Sequence, residues 1–357
     1  MTRIQQSTLK DVAERAGVSP STASRVLNDR LKMPISADTK ARIRRAAEEL
    51  DYVPNAAARA LVGRTTQTIG LVWFEFTDPS QAALAQEVQA RVAARGYHLV
   101  VTTGDGSGEP DALVSRLIDE RRVDGLLVIA STHFSPQVCR RIRSRGAIVV
   151  AAGPPPLAEA QEALTAWVAH DNEGGGWLVG RHLAELGHRR FAFVGARGPA
   201  AGIAAVRERG FRRGVDEVRA ASGASPDEFA VVVVEGDAND FESGRSSGES
   251  LAREHPGVTG VFAVNDRVAM GVLHSLHLAG RSTPVDVSVV GYGNAEFTSV
   301  TVPGLTTVDV PRAGIAELAT EKLFAALAGE TLATRETVLE PRLVVRASTG
   351  PAHRQRG

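Results

Sequence analysis

From Ile69 to about residue 348, short apolar runs alternate with stretches that carry the spacing of amphipathic helices. Few folds accommodate that pattern, because a strand followed by a helix returns to the same sheet through a parallel crossover, with helices covering both faces. The apolar runs predict eight strands, over residues 69–74, 97–103, 125–130, 147–151, 191–194, 230–234, 258–264 and 287–290. Helical stretches lie between them, as where Leu84, Val88 and Val92 recur at i+4 spacing. Eight strands in two groups suit an α/β core of two doubly wound subdomains better than one closed barrel. Sheets of this kind bind ligands beyond the carboxyl ends of their strands, here in the cleft between the subdomains.

The first 64 residues have a different texture. The whole chain carries 41 Lys and Arg against 41 Asp and Glu, for a formal net charge of zero. Residues 1–64 hold 12 of those bases and 7 of those acids, so a surplus of five sits at the N-terminus and the remainder has an equal deficit. A small basic head on a larger acidic body points toward nucleic acid, although a solvated charged face gives the same numbers. Spacing decides between them. Leu9, Val12, Ala13 and Ala16 form one apolar stripe, with Thr8 as N-cap, Asp11 in the capping-box position and Gly17 to end the helix. Ser19 is a second N-cap, followed by Pro20 at the first helical position, and Ala23, Val26 and Leu27 give that helix its inner face. A third helix is expected over 37–50, with Ile43, Ala46, Ala47 and Leu50 inward.

Two short helices joined by a glycine turn, with a third packed on them, make an all-α helix-turn-helix headpiece. Its second helix presents N-terminal residues to base edges in the major groove. The outward residues are Pro20, Ser21, Thr22, Ser24, Arg25 and Asn28. Arg25 can make a bidentate contact to guanine, worth about 1–3 kcal/mol of discrimination. The hydroxyls of Ser19, Ser21, Thr22 and Ser24 and the amide of Asn28 suit phosphates or bases. A helical pair used only for packing is the other reading of this spacing. Residues 55–62 predict a two-turn hinge helix capped by Asn55, too short to be stable alone, after an extended Val53-Pro54.

The stretch TLKDVAERAGVSPSTASRVLN, Thr8 to Asn28, resembles the headpiece of the lac repressor and purine repressor family of bacterial regulators, and the likeness continues from Asp51 to Val72. The resemblance implies that Pro20 and Ser21 hold the variable base-reading positions and that Arg25 is a recurrent base or backbone contact. It adds Thr8 and the hinge residues Asn55, Ala58 and Arg59 to the DNA-binding set, and makes Leu61 a minor-groove wedge that kinks the duplex. An apolar anchor into the body is the alternative for Leu61.

The body is similar to the effector domain of the same family, related to periplasmic sugar-binding proteins, through VDGLLVI, HDNEGGG, LGHRRFAFVG, FAVNDRVAMG, DVSVVGY and LTTVDVP. The implied organisation is a headpiece over 1–53, a hinge and linker over 54–67, an effector-binding and dimerisation domain over 68–350, and a tail over 351–357. Three subdomain crossings are implied near residues 169, 296 and 332. Arg207 matches the family arginine that points into the cleft, and Asp266 the carboxylate that binds hydroxyls or amines of the ligand; a cleft-rim salt bridge is the competing reading of both. Phe74, Phe76 and Asp78, with Glu75, are strand-end candidates, and the two phenylalanines also suit a core. The chain departs from the family pattern at Ala238, where many members have an aromatic ring, at the AAGPPP around Gly153, and at Gly293-Asn294, which replaces a frequent acidic pair. The ligand therefore does not carry over.

These residues lead to a transcriptional regulator, a repressor binding a palindromic operator as a homodimer, with a tetramer also open. A small-molecule effector controls it: a sugar or related metabolite, or alternatively a purine-like co-repressor. No catalytic residues, cofactor or metal ligands are expected. The loop Gly104–Gly108 lacks the G-x-G-x-x-G spacing of a dinucleotide site, no HExxH or Cys/His cluster occurs, and no G-x-S-x-G elbow supports a triad. A Rossmann-type enzyme fused to a DNA-binding head is the remaining alternative. His182 and His188 read as surface or capping residues. The lone Cys139, the polar N-terminus and the lack of a long apolar run point to a cytoplasmic protein that is not a membrane partner.

Overall fold

The computed structural model describes residues 7–27, 35–52, 65–73, 79–103, 110–120, 122–129, 134–153, 158–196 and 202–352. The chain divides into two compact units, Met1–Thr66 and Gln67–Gly357. In the first, α1 (Leu9–Ala16), α2 (Pro20–Leu27) and α3 (Ala37–Glu49) surround one small core. The capping box forms at Thr8: its hydroxyl accepts the Asp11 N–H at 3.4 Å, and the Asp11 carboxylate accepts the Thr8 N–H at 2.7 Å. Gly17 takes φ 63°, the left-handed turn that lets α2 leave at once. Ser36 caps α3 through the Thr39 N–H. Val12, Ala13, Ala16, Ala23, Val26, Ile43, Ala46 and Ala47 are buried together. Small alanines there bring three short helices close enough to share a single layer of side chains.

The second unit begins with β1 (Thr68–Trp73), α4 (Pro79–Ala94), β2 (His98–Thr103), α5 (Pro110–Asp119), β3 (Gly125–Ile129), α6 (Pro136–Arg145), β4 (Val149–Ala152), α7 (Ala158–Ala163) and β5 (Ala166–His170). It continues with α8 (Asn172–Glu185), β6 (Arg190–Ala196), α9 (Gly202–Ala221), β7 (Ala230–Gly236), α10 (Phe241–Glu254), β8 (Gly260–Ala263), α11 (Asp266–Leu278), β9 (Ser288–Gly293), β10 (Thr306–Asp309), α12 (Arg312–Leu327), β11 (Glu336–Leu339) and β12 (Arg342–Val344). The strands build two six-stranded sheets, in the orders β11-β5-β4-β3-β1-β2 and β12-β10-β9-β8-β6-β7. Neighbours run parallel except β12, which is antiparallel to β10.

All eight expected strands are present, and β5, β10, β11 and β12 join them. Those four escape an apolar-run criterion for physical reasons. β10 buries threonines, β11 alternates exposed and half-buried residues at a sheet edge, and β12 has only three residues. β5 is a buried Ala-Trp-Val-Ala-His segment of low mean apolarity. Their presence moves two crossings. The chain passes between sheets after His170, between β10 and α12, and between Leu339 and Arg342. The crossing expected near 296 is corrected, because Glu296–Ser299 is a 3-10 turn between two strands of the same sheet. The one expected near 332 is corrected too, since that residue lies between α12 and β11, both belonging to the first subdomain.

Helix α8 runs through NEGGGWLVG, a composition that disfavours helix. Tertiary packing overrides it. A Cβ at Gly176 would lie 2.1 Å from the Arg207 carbonyl oxygen, and one at Gly210 would lie 1.9 Å from that of Glu173. Gly180 and Gly214 meet Phe211 and Trp177 in the same way, so α8 and α9 touch backbone to backbone.

Candidate functional site

The headpiece presents α2 as its candidate nucleic-acid face. Pro20, Ser21 and Arg25 are exposed, Thr22 and Ser24 are half-buried, and Ala23 and Val26 are turned into the core. Period-3.6 spacing makes this division, and of the residues read as outward Pro20, Ser21 and Arg25 are exposed. Ser19 Oγ lies 2.9 Å from Ser21 Oγ and 2.8 Å from Thr22 Oγ1, and it accepts the Thr22 N–H at 3.2 Å. Thr8 is exposed, with its hydroxyl engaged by Asp11 at 2.8 Å. Asn28, Asn55, Ala58, Arg59 and Leu61 lie outside the described residues.

In the second unit, Arg207 stands in the second turn of α9 and is 9% exposed. Its Nε donates to Asn172 Oδ1 at 3.0 Å, and Nη1 donates to the Val264 carbonyl at 2.5 Å. Its Cζ sits 3.5 Å from the centroid of the Tyr292 ring. Asn172 Nδ2 in turn donates to the His170 carbonyl at 3.2 Å. Residues from the first crossing, from α9 and from the carboxyl ends of β8 and β9 thus meet around one guanidinium.

Asp266, the first residue of α11, reaches the same end of the second sheet and is 3% exposed. Its Oδ2 accepts the Ala295 N–H at 2.8 Å and its Oδ1 accepts the Thr307 hydroxyl at 2.5 Å. Both oxygens therefore serve the join between β9, β10 and α11. Asn265 caps α11 and donates to the Asn239 carbonyl at 2.9 Å, while Asn239 accepts the Ala196 N–H at 2.9 Å. At the mouth of the cleft, a Cβ on Gly293 would lie 3.5 Å from Ser80 Cβ, so the start of α4 meets the end of β9 across the two subdomains. Phe74, Glu75, Phe76 and Asp78 lie outside the described residues. Phe241, displaced from the family's aromatic position, starts α10 with its ring 6.1 Å from His274.

Sequence reasoning missed the buried polar residues beneath Arg207. His170 is 5% exposed and Tyr292 2%. Neither His170 nitrogen nor the Tyr292 hydroxyl has a hydrogen-bond partner among the described residues. Burial pushes the His170 imidazole down to about 3, helped by the neighbouring Arg207 charge, and pushes the Tyr292 phenol up to about 12. The only signal for them was their place in the family stretches HDNEGGG and DVSVVGY. The surface reading of His188 is corrected. It is buried between Thr259 Oγ1 at 3.0 Å and Ser288 Oγ at 3.0 Å, and burial lowers it to about 4. His182 is half-buried against Thr349 Oγ1 at 3.0 Å. Both histidines anchor the segment after β12, which supplies Thr349 and Gly350.

Comparison with known proteins follows the same division of the chain. Residues 8–55 match the bacterial regulatory proteins of the lacI family, and residues 181–349 match the periplasmic binding protein-like domain. The HTH-type transcriptional regulator CelR of Thermobifida fusca is 34% identical over 354 residues, covering 98% of this chain and 100% of the relative. A solved CelR–cellobiose complex superposes with a TM-score of 0.67 at 31% identity, over 96% of this chain and 99% of that one. The lac repressor dimer bound to operator and the anti-inducer ONPF superposes with a TM-score of 0.80 at 25% identity, over 97% and 100% of the two chains. These relatives are regulators and not enzymes, which leaves the fused-enzyme alternative without support. A chain that carries this headpiece and this two-sheet body, and shares a third of its residues with such a regulator from end to end, belongs to the lacI family of bacterial regulatory proteins.

Proposed function

We propose that the chain is a cytoplasmic, homodimeric transcriptional repressor that binds a palindromic operator and is controlled by a sugar in the cleft of its body. The observation that carries the DNA reading is the exposed α2 face with Arg25 outward, inside the segment that matches the family. Two headpieces read half-sites in the major groove, and two hinge segments enter the minor groove with Leu61 as wedge. The cleft collects Arg207 and Asn172, hydrogen-bonding groups that suit a ligand bearing hydroxyls. The cellobiose complex of the similar CelR supports a sugar over a purine. Effector binding shifts operator affinity by a coupling energy that is typically about 1–3 kcal/mol.

Selection of bound duplex from a random pool, repeated with and without candidate sugars, tests the whole reading. A palindromic consensus whose retention changes with one sugar is the expected result. Arg25→Ala should then cost about 1–3 kcal/mol and relax preference at one base pair. Equal weakening on every sequence would reduce Arg25 to a phosphate contact, and no enriched sequence at all would sink the operator reading.

A further inference from the structure

An arginine at the end of a flexible stem recognises a ligand selectively only if its planar fork is held in one orientation. Arg207 is held by the Asn172 amide oxygen at Nε, the Val264 carbonyl at Nη1 and the Tyr292 ring, among other contacts. A separation of 3.5 Å between Cζ and the ring centroid is reached only over the face of the ring. An electron-rich face attracts a cation, more strongly where burial excludes competing water, and Tyr292 is 2% exposed. The ring itself is boxed in by His170, with centroids 5.8 Å apart, by Phe262 at 6.4 Å, and by Gly175. A Cβ at Gly175 would fall 2.5 Å from the phenolic oxygen, so the glycine makes room for it.

We propose that Tyr292 is a positioning residue for the effector contact of Arg207: its ring face sets the plane of the guanidinium. The inference rests on the reading of Arg207 as an effector contact. Asn172 fixes rotation within the plane, and Tyr292 fixes the plane itself. Together they fix the orientation in which the fork meets a ligand, and so which arrangement of ligand oxygens is accepted.

The test uses the full chain with Tyr292→Leu and with Tyr292→Phe as the conservative variant. The first readout is the Arg207 Nε–H resonance, assigned by its loss in Arg207→Lys; a stacked guanidinium shows it displaced by the ring current. The second is calorimetric affinity for cellobiose and a panel of mono- and disaccharides. Tyr292→Leu should return the resonance to its ordinary position and weaken sugar binding about 10- to 30-fold. Tyr292→Phe should restore both, since it keeps the face. Loss of both in Tyr292→Phe would make the hydroxyl the working group and overturn the proposal, as would a leucine variant that keeps both. If the leucine variant does not fold, the wild-type resonance decides, and an undisplaced Arg207 signal overturns the proposal. Should no sugar on the panel bind the wild type, the sugar reading fails by itself while the resonance still settles whether Tyr292 positions Arg207.

Discussion

Replacing Gly210 by alanine adds one methyl group where α8 and α9 touch backbone to backbone. Two effects oppose each other. Alanine is a better helix former than glycine by about 1 kcal/mol, so an unpacked helix would gain stability. The new Cβ, however, would lie 1.9 Å from the Glu173 carbonyl oxygen, 2.8 Å from its carbon and 3.0 Å from the Trp177 nitrogen. Ordinary contact begins near 3.4 Å, which leaves the helices about 1.5 Å too close. Backbone atoms inside a helix cannot swing aside as a side-chain end could, so α9 must retreat as a body. Overpacking of this kind costs about 1–3 kcal/mol, and the upper end applies because the obstacle is backbone. The net destabilisation is then about 2 kcal/mol, or roughly 3–4 °C in melting temperature for a unit of this size. The same retreat lengthens the 3.0 Å bond from Arg207 Nε to Asn172, so sugar binding should weaken too. Gly202→Ala is the control, since no other atom of the described residues crowds its would-be Cβ within 4 Å. Thermal melts of the two variants, with and without sugar, check the argument. A Gly210→Ala protein that melts at or above the wild type would refute the close-contact reasoning, because propensity alone would then have won.

Asp266→Asn leaves the Ala295 N–H or the Thr307 hydroxyl facing an amide in place of a carboxylate. Stability measured in urea should fall by about 1–3 kcal/mol; unchanged stability with lost sugar binding would instead make Asp266 a direct ligand contact. His170 and His188 are held neutral, at about 3 and about 4 against an ordinary 6.5. The unfolded chain binds more protons than the folded one below pH 6.5, so stability is complete above that value and is lost as pH falls toward 4. At pH 5 each histidine should remove about 2 kcal/mol. The gap between urea midpoints at pH 7.5 and 5 should therefore shrink by about half in His188→Gln, where His170 still titrates, and a wild type equally stable at both would contradict the neutral burial.

The headpiece was legible almost to the residue, because caps, a glycine turn and a 3.6-residue stripe are local signals. Thr8 and Gly17 act where local chemistry places them. The body was legible as a class, through long apolar strands such as β3 and β6 that are buried over nearly their whole length. What stayed hidden depends on distant partners. Threonine can line a buried strand when its hydroxyl finds a partner, as Thr307 finds Asp266 forty-one residues away in sequence. Glycine can fill a helix when another backbone rests on it, as at Gly176 and Gly180. The cleft was half legible. Arg207 and Asp266 were found by position in a motif, but position did not reveal that both Asp266 oxygens are already occupied, nor that Tyr292 underlies Arg207.

The hydroxyls of Ser19, Ser21 and Thr22 already satisfy one another at the start of α2. On meeting a duplex they trade one partner for another and do not recover a missing one, so a well-matched contact adds little net free energy. A badly matched base, by contrast, strands a donor or acceptor between two surfaces and costs the full desolvation of that group. Such a tip rejects wrong sequences more than it rewards the right one. Grip must come from the charged residues around it, and grip of that origin loosens with salt. A reading head built this way would slide easily along the genome and linger only where nothing objects.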